Sequence, residues 1–262
     1  MFRSLHIAAT GMSAQETQLE GVANNIANAN TVGYKRQRVE FQDLLYQNVR
    51  EAGAPTSQTT MAPNGLQIGT GVRVVGTARE FEEGGFENSG NPLDVAIEGN
   101  GMFVIQQPDG TQAYTRDGTL KTDGLGNIVT NEGLMLDPPI TIPQGASNVS
   151  IASNGKISVT MPNSTDPVEI GQIQLATFLN PGGLKAQGHN LFTKTLASGE
   201  PQLGSPGEES RGTLLQGSYE QSNVDIVNEM IGMIGAQRGY EMNSKVITTA
   251  DDMMSAATQM KG

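Results

Sequence analysis

SNVDIVNEMIGMIGAQRGYEMNSKVI, residues 222–247, is the stretch whose reading decides how this chain is built. Apolar residues fall at Ile226, Met230, Met233, Tyr240, Ile247 and Met254 in steps of threes and fours, with Gln237, Ser244 and Asp251 in the remaining slots. That is the period of a helix that packs along a heptad-like seam. A second stripe, Val224, Val227, Ile231 and Ile234, runs beside the first. The first half is therefore apolar over a wide face and calls for more than one neighbour. Ser222 followed by Asp225 has the form of a capping box. Gly232, Gly235 and Gly239 interrupt the helix, each at a cost of about 1 kcal/mol relative to alanine. Close backbone approach by another helix would compensate. Gly235 and Gly239 have the spacing of membrane-helix dimers, but Gln237 and Arg238 lie between them and argue against a bilayer.

The other end repeats the design. Phe2, Leu5, Ala9, Met12, Leu19, Ala23 and Ile26 alternate steps of three and four, with Glu16 filling one slot and Gln15, Gln18, Glu20 and Asn24 on the opposite face. A helix of about 25 residues spans roughly 38 Å. Asn28, Asn30 and Gly33 are its expected stop signals. Between the helices the texture changes. Residues 52–65 are rich in Gly, Pro, Ser and Thr and read as an extended connection. From there to residue 220, short alternating runs are separated by Asn100-Gly101, Asp109-Gly110, Asp117-Gly118, Asp123-Gly124 and Asn154-Gly155, the dipeptides of tight turns between strands. Met102-Phe103-Val104-Ile105 and Gln172-Ile173-Gln174-Leu175 fit strands, and scattered prolines at 138, 139, 143, 162 and 167 exclude long helices. The expected fold class is α+β: a discontinuous α-helical coiled-coil domain made of both termini, around an all-β middle domain. The expected divisions are an N-terminal helix at 1–34, a connector at 35–75, an all-β domain at 76–219 and a C-terminal helix at 220–262 that pairs with the first.

A net charge of −11 argues against binding duplex nucleic acid or an anionic membrane, both of which need surplus Lys and Arg. The acids Glu80, Glu82, Glu83, Glu87, Asp94 and Glu98 fall together and read first as a solvated face; Lys35, Arg36 and Arg38 form a small basic patch. The chain has no cysteine, so no disulfide framework or thiol nucleophile is available. No run approaches a membrane span, so no membrane insertion is expected. Ser4, His6, Thr10 and Ser13 break the apolar core that a secretory signal needs.

Chemistry is sparse. His6 and His189 are the only histidines, and a His-based triad or metal site would have to use one of them. A helix-surface position and a turn are the expected roles. Gly69-Thr70-Gly71 and Gly99-Asn100-Gly101 lack the third glycine of a dinucleotide loop. The residues before Gly118 and Gly124 lack the alternating acids of a calcium loop. Asn148-Val149-Ser150 and Asn163-Ser164-Thr165 match a glycosylation tripeptide that is common by chance. A polysaccharide hydrolase needs only two carboxylates, but nothing selects a pair, and the chain has no Trp for sugar stacking. No catalytic, cofactor-binding or metal-binding residue is assigned, and the expectation is a protein that is not an enzyme.

Ala23-Asn24-Asn25-Ile26-Ala27-Asn28, then Thr31, Gly33, Tyr34 and Lys35, closely resembles the N-terminal motif of bacterial flagellar rod and hook axial proteins. Glu220, Ser222-Asn223-Val224 and the run from Gln237 to Lys245 resemble the matching C-terminal motif. Residues 41–47, 65–73 and 113–118 are most similar to the distal-rod members, and Gly239 departs from the alanine expected there. The resemblance covers nearly the whole chain and implies a structural subunit of the distal rod in the basal body. Copies of the chain stack into a rigid helical tube that carries torque for motility and serves as an export channel. The implied partners are further copies, proximal rod proteins, the hook protein, a surrounding ring bushing and the flagellar type III export apparatus. The implied location is the periplasm, reached without a cleaved signal peptide. Residues 46–65 resemble an insertion that locks neighbours. A proximal rod or hook subunit, or a periplasmic cell-wall-binding or cell-wall-cleaving β-protein, are the alternatives. The expected packing seam is Leu5, Met12, Leu19, Ile26, Ile231, Ile234, Tyr240 and Ile247, with Asn24, Asn25 and Asn28 as polar register contacts or helix-end caps.

Overall fold

The computed structural model describes residues 2–53, 63–146, 148–162 and 166–260. The centre of the expected insertion and Asn163-Ser164-Thr165 lie outside the described residues. The architecture is α+β: an N-terminal helix, a β-rich middle and a C-terminal helix. Two compact units share the chain. One comprises Met1–Ile26, Gln37–Ala78 and Asp225–Gly262; the other comprises Ala27–Arg36 and Arg79–Val224. These divisions differ from 34, 75 and 219, because the segments flanking each helix hydrogen-bond to strands of the β unit.

In the helical unit, α1 (Phe2–Ala27) is followed by β1 (Gln37–Asp43), β2 (Gln47–Arg50), β3 (Leu66–Ile68), β4 (Val72–Arg79) and, at the end of the chain, α2 (Ile226–Gln259). β1 pairs with β4, and β2 pairs antiparallel with β3. α1 lies close to the β1–β4 ribbon: a Cβ on Gly71 would fall 2.3 Å from Thr10 Oγ1, and one on Gly21 would fall 2.9 Å from Val39 Cγ2. α2 begins later than a Ser222 cap would set it. Asp225 is its N-cap, accepting from the N–H groups of Val227 and Asn228 at 2.9 and 3.3 Å. A carboxylate there satisfies orphan donors and also suits the positive end of the helix dipole.

The β unit contains β5 (Phe86–Asn88), β6 (Val95–Glu98), β7 (Met102–Gln106), β8 (Gln112–Thr115), β9 (Lys121–Thr122), β10 (Ile128–Val129), β11 (Met135–Leu136), β12 (Asn148–Ile151), β13 (Lys156–Thr160), β14 (Val168–Gln172), β15 (Leu175–Thr177), β16 (Lys185–Gly188), β17 (Leu191–Thr193), β18 (Gln202–Gly204), β19 (Thr213–Gln216) and β20 (Ser218–Glu220). Among the described residues the largest sheet runs β16-β17-β8-β7-β11-β10-β9, with β15 joining β7 to β18. β12-β13-β14 form a second sheet, and β19 pairs with β6 and β20 with β5.

β7 explains why Met102-Phe103-Val104-Ile105 is apolar without alternation. Phe103 and Ile105 enter one core with Val95, Ile97, Leu120 and Ile157. Met102 and Val104 enter another with Tyr114, Leu184 and Phe192. A strand covered on both faces has no polar side to show. The stretch 172–175 is divided: β14 ends at Gln172 and β15 starts at Leu175.

Candidate functional site

Three sequence motifs meet in the β unit around one carboxylate. Gly33-Tyr34-Lys35 follows α1, Tyr114-Thr115-Arg116 ends β8, and Ser218-Tyr219-Glu220 is β20. Lys35 Nζ donates to Glu220 Oε1 at 2.6 Å, and Arg116 Nε donates to Glu220 Oε2 at 2.7 Å. All three residues are buried, with exposures of 0%, 4% and 1% for Lys35, Arg116 and Glu220. Charges so enclosed are tolerable only when paired and hydrogen-bonded, and these are. Lys35 Nζ also reaches the Glu82 carbonyl at 2.5 Å. Arg116 donates to the carbonyls of Gly99 and Gly101 at 2.8 Å and of Ile97 at 3.2 Å. The N–H of Gly84 donates to Glu220 at 3.0 Å. Burial pushes the Glu220 carboxyl up, but Arg116 and Lys35 outweigh it and hold it below the usual carboxylate range. Burial pulls the Lys35 ammonium down, and the attraction of Glu220 offsets this only in part.

The backbone around the triad is stitched in the same way. Gly33 N–H donates to the Glu220 carbonyl at 2.8 Å. Asn223 accepts from Arg36 N–H at 2.7 Å and donates to the carbonyls of Glu80 and Glu82. Arg79 bonds the Lys35 carbonyl at 3.1 Å and lies over the rings of Tyr34 and Phe192. The segments leading out of α1 and into α2 are thus fixed to one ionic centre.

The anticipated basic patch is dispersed by this arrangement. Lys35 is in the triad, Arg36 pairs with Glu80 at 3.2 Å, and Arg38 pairs with Glu40. The acidic stretch divides too: Asp94 is buried and bonded by Asn91, Glu87 accepts from Tyr219 and Gln221, and Glu82, Glu83 and Glu98 stay exposed. His6 is exposed on α1, and His189 sits in a left-handed turn where it meets Glu132.

In the helical unit, α1 and α2 run antiparallel. Asn25 donates to Glu229 at 3.2 Å. A Cβ on Gly232 would meet Val22 at 3.8 Å, one on Gly239 would meet Gln15 at 3.1 Å, and one on Gly11 would meet Asn243 at 2.8 Å. Around these glycines the contact is made by small and polar residues and by buried Val22. Gly232 and Gly239 do face a helix, whereas Gly235 has nothing within 4 Å. Asn25 is buried and brackets the backbone of Gln37, accepting from its N–H and donating to its carbonyl at 2.9 Å each. Asn28 accepts from the Thr31 hydroxyl at 3.2 Å, and Asn24 is exposed.

Leu5, Met12, Leu19, Ile26 and Ile247 are half-buried. Ile231, Ile234 and Tyr240 are exposed, as are Phe2, Val227, Met230, Met242, Val246 and Met253. Sequence reasoning missed the ionic triad and the Asn25–Glu229 pair. One signal was available: each motif carries a single charge next to, or one residue from, a tyrosine.

Sequence models of three flagellar groups match the chain. They are flagella basal body rod protein over residues 5–35, the D1 domain of flagellar hook protein FlgE/F/G over 96–159, and the C-terminal part of flagellar basal body rod FlgEFG protein over 215–260. The chain is 49% identical over 260 residues to flagellar basal-body rod protein FlgG of Caulobacter vibrioides, covering 99% of each. It is 46% identical over 254 residues to FlgG of Buchnera aphidicola, covering 97% of this chain and 98% of that one. It is 38% identical over 266 residues to FlgG of Bacillus subtilis, covering 100% of both. The three matched segments carry Lys35, Arg116 and Glu220, one each, and the full-length identities place the chain in the family of flagellar basal-body rod proteins.

Proposed function

We propose that the chain is a structural subunit of the flagellar distal rod, which self-assembles into a rigid helical tube and transmits torque from the motor to the hook. The observation that carries this reading is the apolar surface left open on α2, where Ile226, Val227, Met230, Ile231, Ile234 and Tyr240 are exposed. The contact between the two helices uses glycine, asparagine, glutamine and glutamate beside buried Val22, while Ile231, Ile234 and Tyr240 are exposed and Leu5, Met12, Leu19, Ile26 and Ile247 are half-buried; in this reading neighbouring copies complete the burial of both seams. Large apolar faces on a soluble chain mark interaction surfaces. Their heptad-like spacing suits coiled-coil packing of helices in a tube wall. Asn24 is then a register contact between copies, and Asn25 and Asn28 hold the helix end that presents it.

The ribbon β2–β3 supports the same reading. Leu45, Tyr46, Val49 and Leu66 are exposed, and a two-stranded ribbon is marginal without something to cover it. It would lock adjacent copies. The remaining partners are proximal rod proteins, the hook protein and a ring bushing around the shaft, reached through the flagellar export apparatus. No described helix is long and apolar enough to cross a membrane.

The test is complementation of a non-motile deletion strain, combined with labelling of purified basal bodies. The native chain should restore swimming and place its label between the proximal rod and the hook. Ile231→Asp with Ile234→Asp should be exported but should not form rods. Label at the proximal rod or in the hook would overturn the distal assignment, and normal rods built from the double variant would overturn the seam.

A further inference from the structure

We propose that the cleft between the stem leaving α1 and the β16–β17 turn is a binding site for a small oxyanion, held by Arg79. The stem, Arg79 and the turn all belong to the β unit. Tyr34, Lys35, Arg79, Ala186, His189 and Phe192 stand in the wall of the cleft, which has a volume of about 200 Å³. That is below the roughly 300–1,000 Å³ of a site for a drug-sized ligand and suits a single small ion. The chain as a whole has a net charge of −11, yet among the described residues no Asp or Glu lines this cleft.

Arg79 is the residue that calls for an anion. Its Nη1 donates to the Lys35 carbonyl at 3.1 Å, and its guanidinium carbon lies 5.4 Å from the centre of the Tyr34 ring and 5.5 Å from that of Phe192. These contacts hold the group in place but supply no counter-ion. A guanidinium carries five N–H donors, and its Nε–Nη2 edge matches two oxygens of a carboxylate or phosphate. Among the described residues no carboxylate pairs with Arg79. The nearby acids are engaged or remote. Glu220 is shared by Lys35 and Arg116, Glu80 pairs with Arg36, and Glu132 meets His189. Glu83 is exposed and adds the smallest attraction on Lys35. Lys35, Arg116 and Arg79 therefore stand around one buried carboxylate. An oxyanion on the open edge of Arg79 brings this centre closer to neutrality and ties the stem to the turn.

Inorganic phosphate and the side-chain carboxylate of another copy offer the same chemistry, and the experiment separates them. The full chain, kept dilute, is titrated with sodium phosphate at an ionic strength held constant with chloride, and binding is read by calorimetry. Arg79→Lys keeps the charge and loses the fork. Ala186→Glu leaves Arg79 and its contacts in place, so it serves even where Arg79→Lys fails to fold. Ala186 pairs with Phe192 across β16 and β17, so its side chain shares the face on which Arg79 lies over the Phe192 ring, and a glutamate there occupies the cleft from within. Expected are saturable binding by the native chain, binding about tenfold or more weaker in Arg79→Lys, and none in Ala186→Glu. Phosphate that also delays assembly of the native chain identifies the natural occupant as a carboxylate of another copy; assembly indifferent to phosphate identifies a free anion. A native response to phosphate no greater than to chloride would overturn the proposal, as would equal phosphate binding by Ala186→Glu.

Discussion

Glu220 holds two cations inside the β unit, and the order of damage on removing each member follows from that. Glu220→Gln leaves Lys35 and Arg116 facing each other in a buried site. It should cost about 3–5 kcal/mol of stability in urea unfolding. Lys35→Met leaves an Arg–Glu pair that is still neutral overall, so it should cost less than Glu220→Gln. The pH dependence has a definite sign. The folded-state pKa of Glu220 is depressed, so its contribution is complete above the unfolded carboxylate value of about 4.3 and is lost as pH falls through the lower folded value. Stability of the native chain should therefore fall steeply in acid, and Glu220→Gln should show a flatter fall over the same window. Gly33 provides an independent check. Its φ is +67°, and a Cβ would stand 2.7 Å from Asp117 N and 2.8 Å from Arg116 C. Gly33→Ala should destabilise by more than about 1 kcal/mol, since both backbone conformation and space are wrong. The triad was not legible in the sequence because Lys35 and Arg116 lie 185 and 104 residues from Glu220. Taken singly, each charge reads as surface.

At the scale of elements, the glycines of α2 divide into two kinds that respond oppositely to substitution. Gly232→Ala brings a methyl to ordinary contact distance of Val22 and gains about 0.5–1 kcal/mol of helix propensity; the thermal midpoint of the free chain should rise. Gly235→Trp meets open space in the free chain, so that chain should stay folded by circular dichroism and yet fail to assemble. Assembly unimpaired by Gly235→Trp would show that this side of α2 stays uncovered. The two helices were legible because their periodicity extends over many turns. The face by which they meet was not, because Gly11, Gly232, Gly239, Asn25 and Asn243 carry no hydrophobic signal and Val22 alone among them sets no period. Close approach of two helices needs small residues, which leave no mark in apolar periodicity. β7 was legible through its unbroken apolar run. The two-residue strands β9, β10 and β11 are too short to show any period, and their pairing is set by neighbours.

For the molecule as a whole, the two units should differ in local stability. β6, β7 and β8 are almost wholly buried, whereas α2 shows most of its length to solvent. Amide exchange in the free chain should protect β7 most and α2 far less, with α2 gaining protection on assembly. Equal protection of α2 in both states would contradict ordering by neighbours. Because 27–36 belongs to the β unit, a fragment of residues 27–224 should unfold cooperatively, while one of residues 37–224, lacking Lys35, should be much less stable. The 185-residue separation between Lys35 and Glu220 also sets a clock. A chain made from its N-terminus at 5–20 residues per second leaves Lys35 without its counter-ion for about 10–40 s. Until the last sixth of the chain emerges, the ionic centre cannot close, and Lys35 and Arg116 wait without their shared carboxylate.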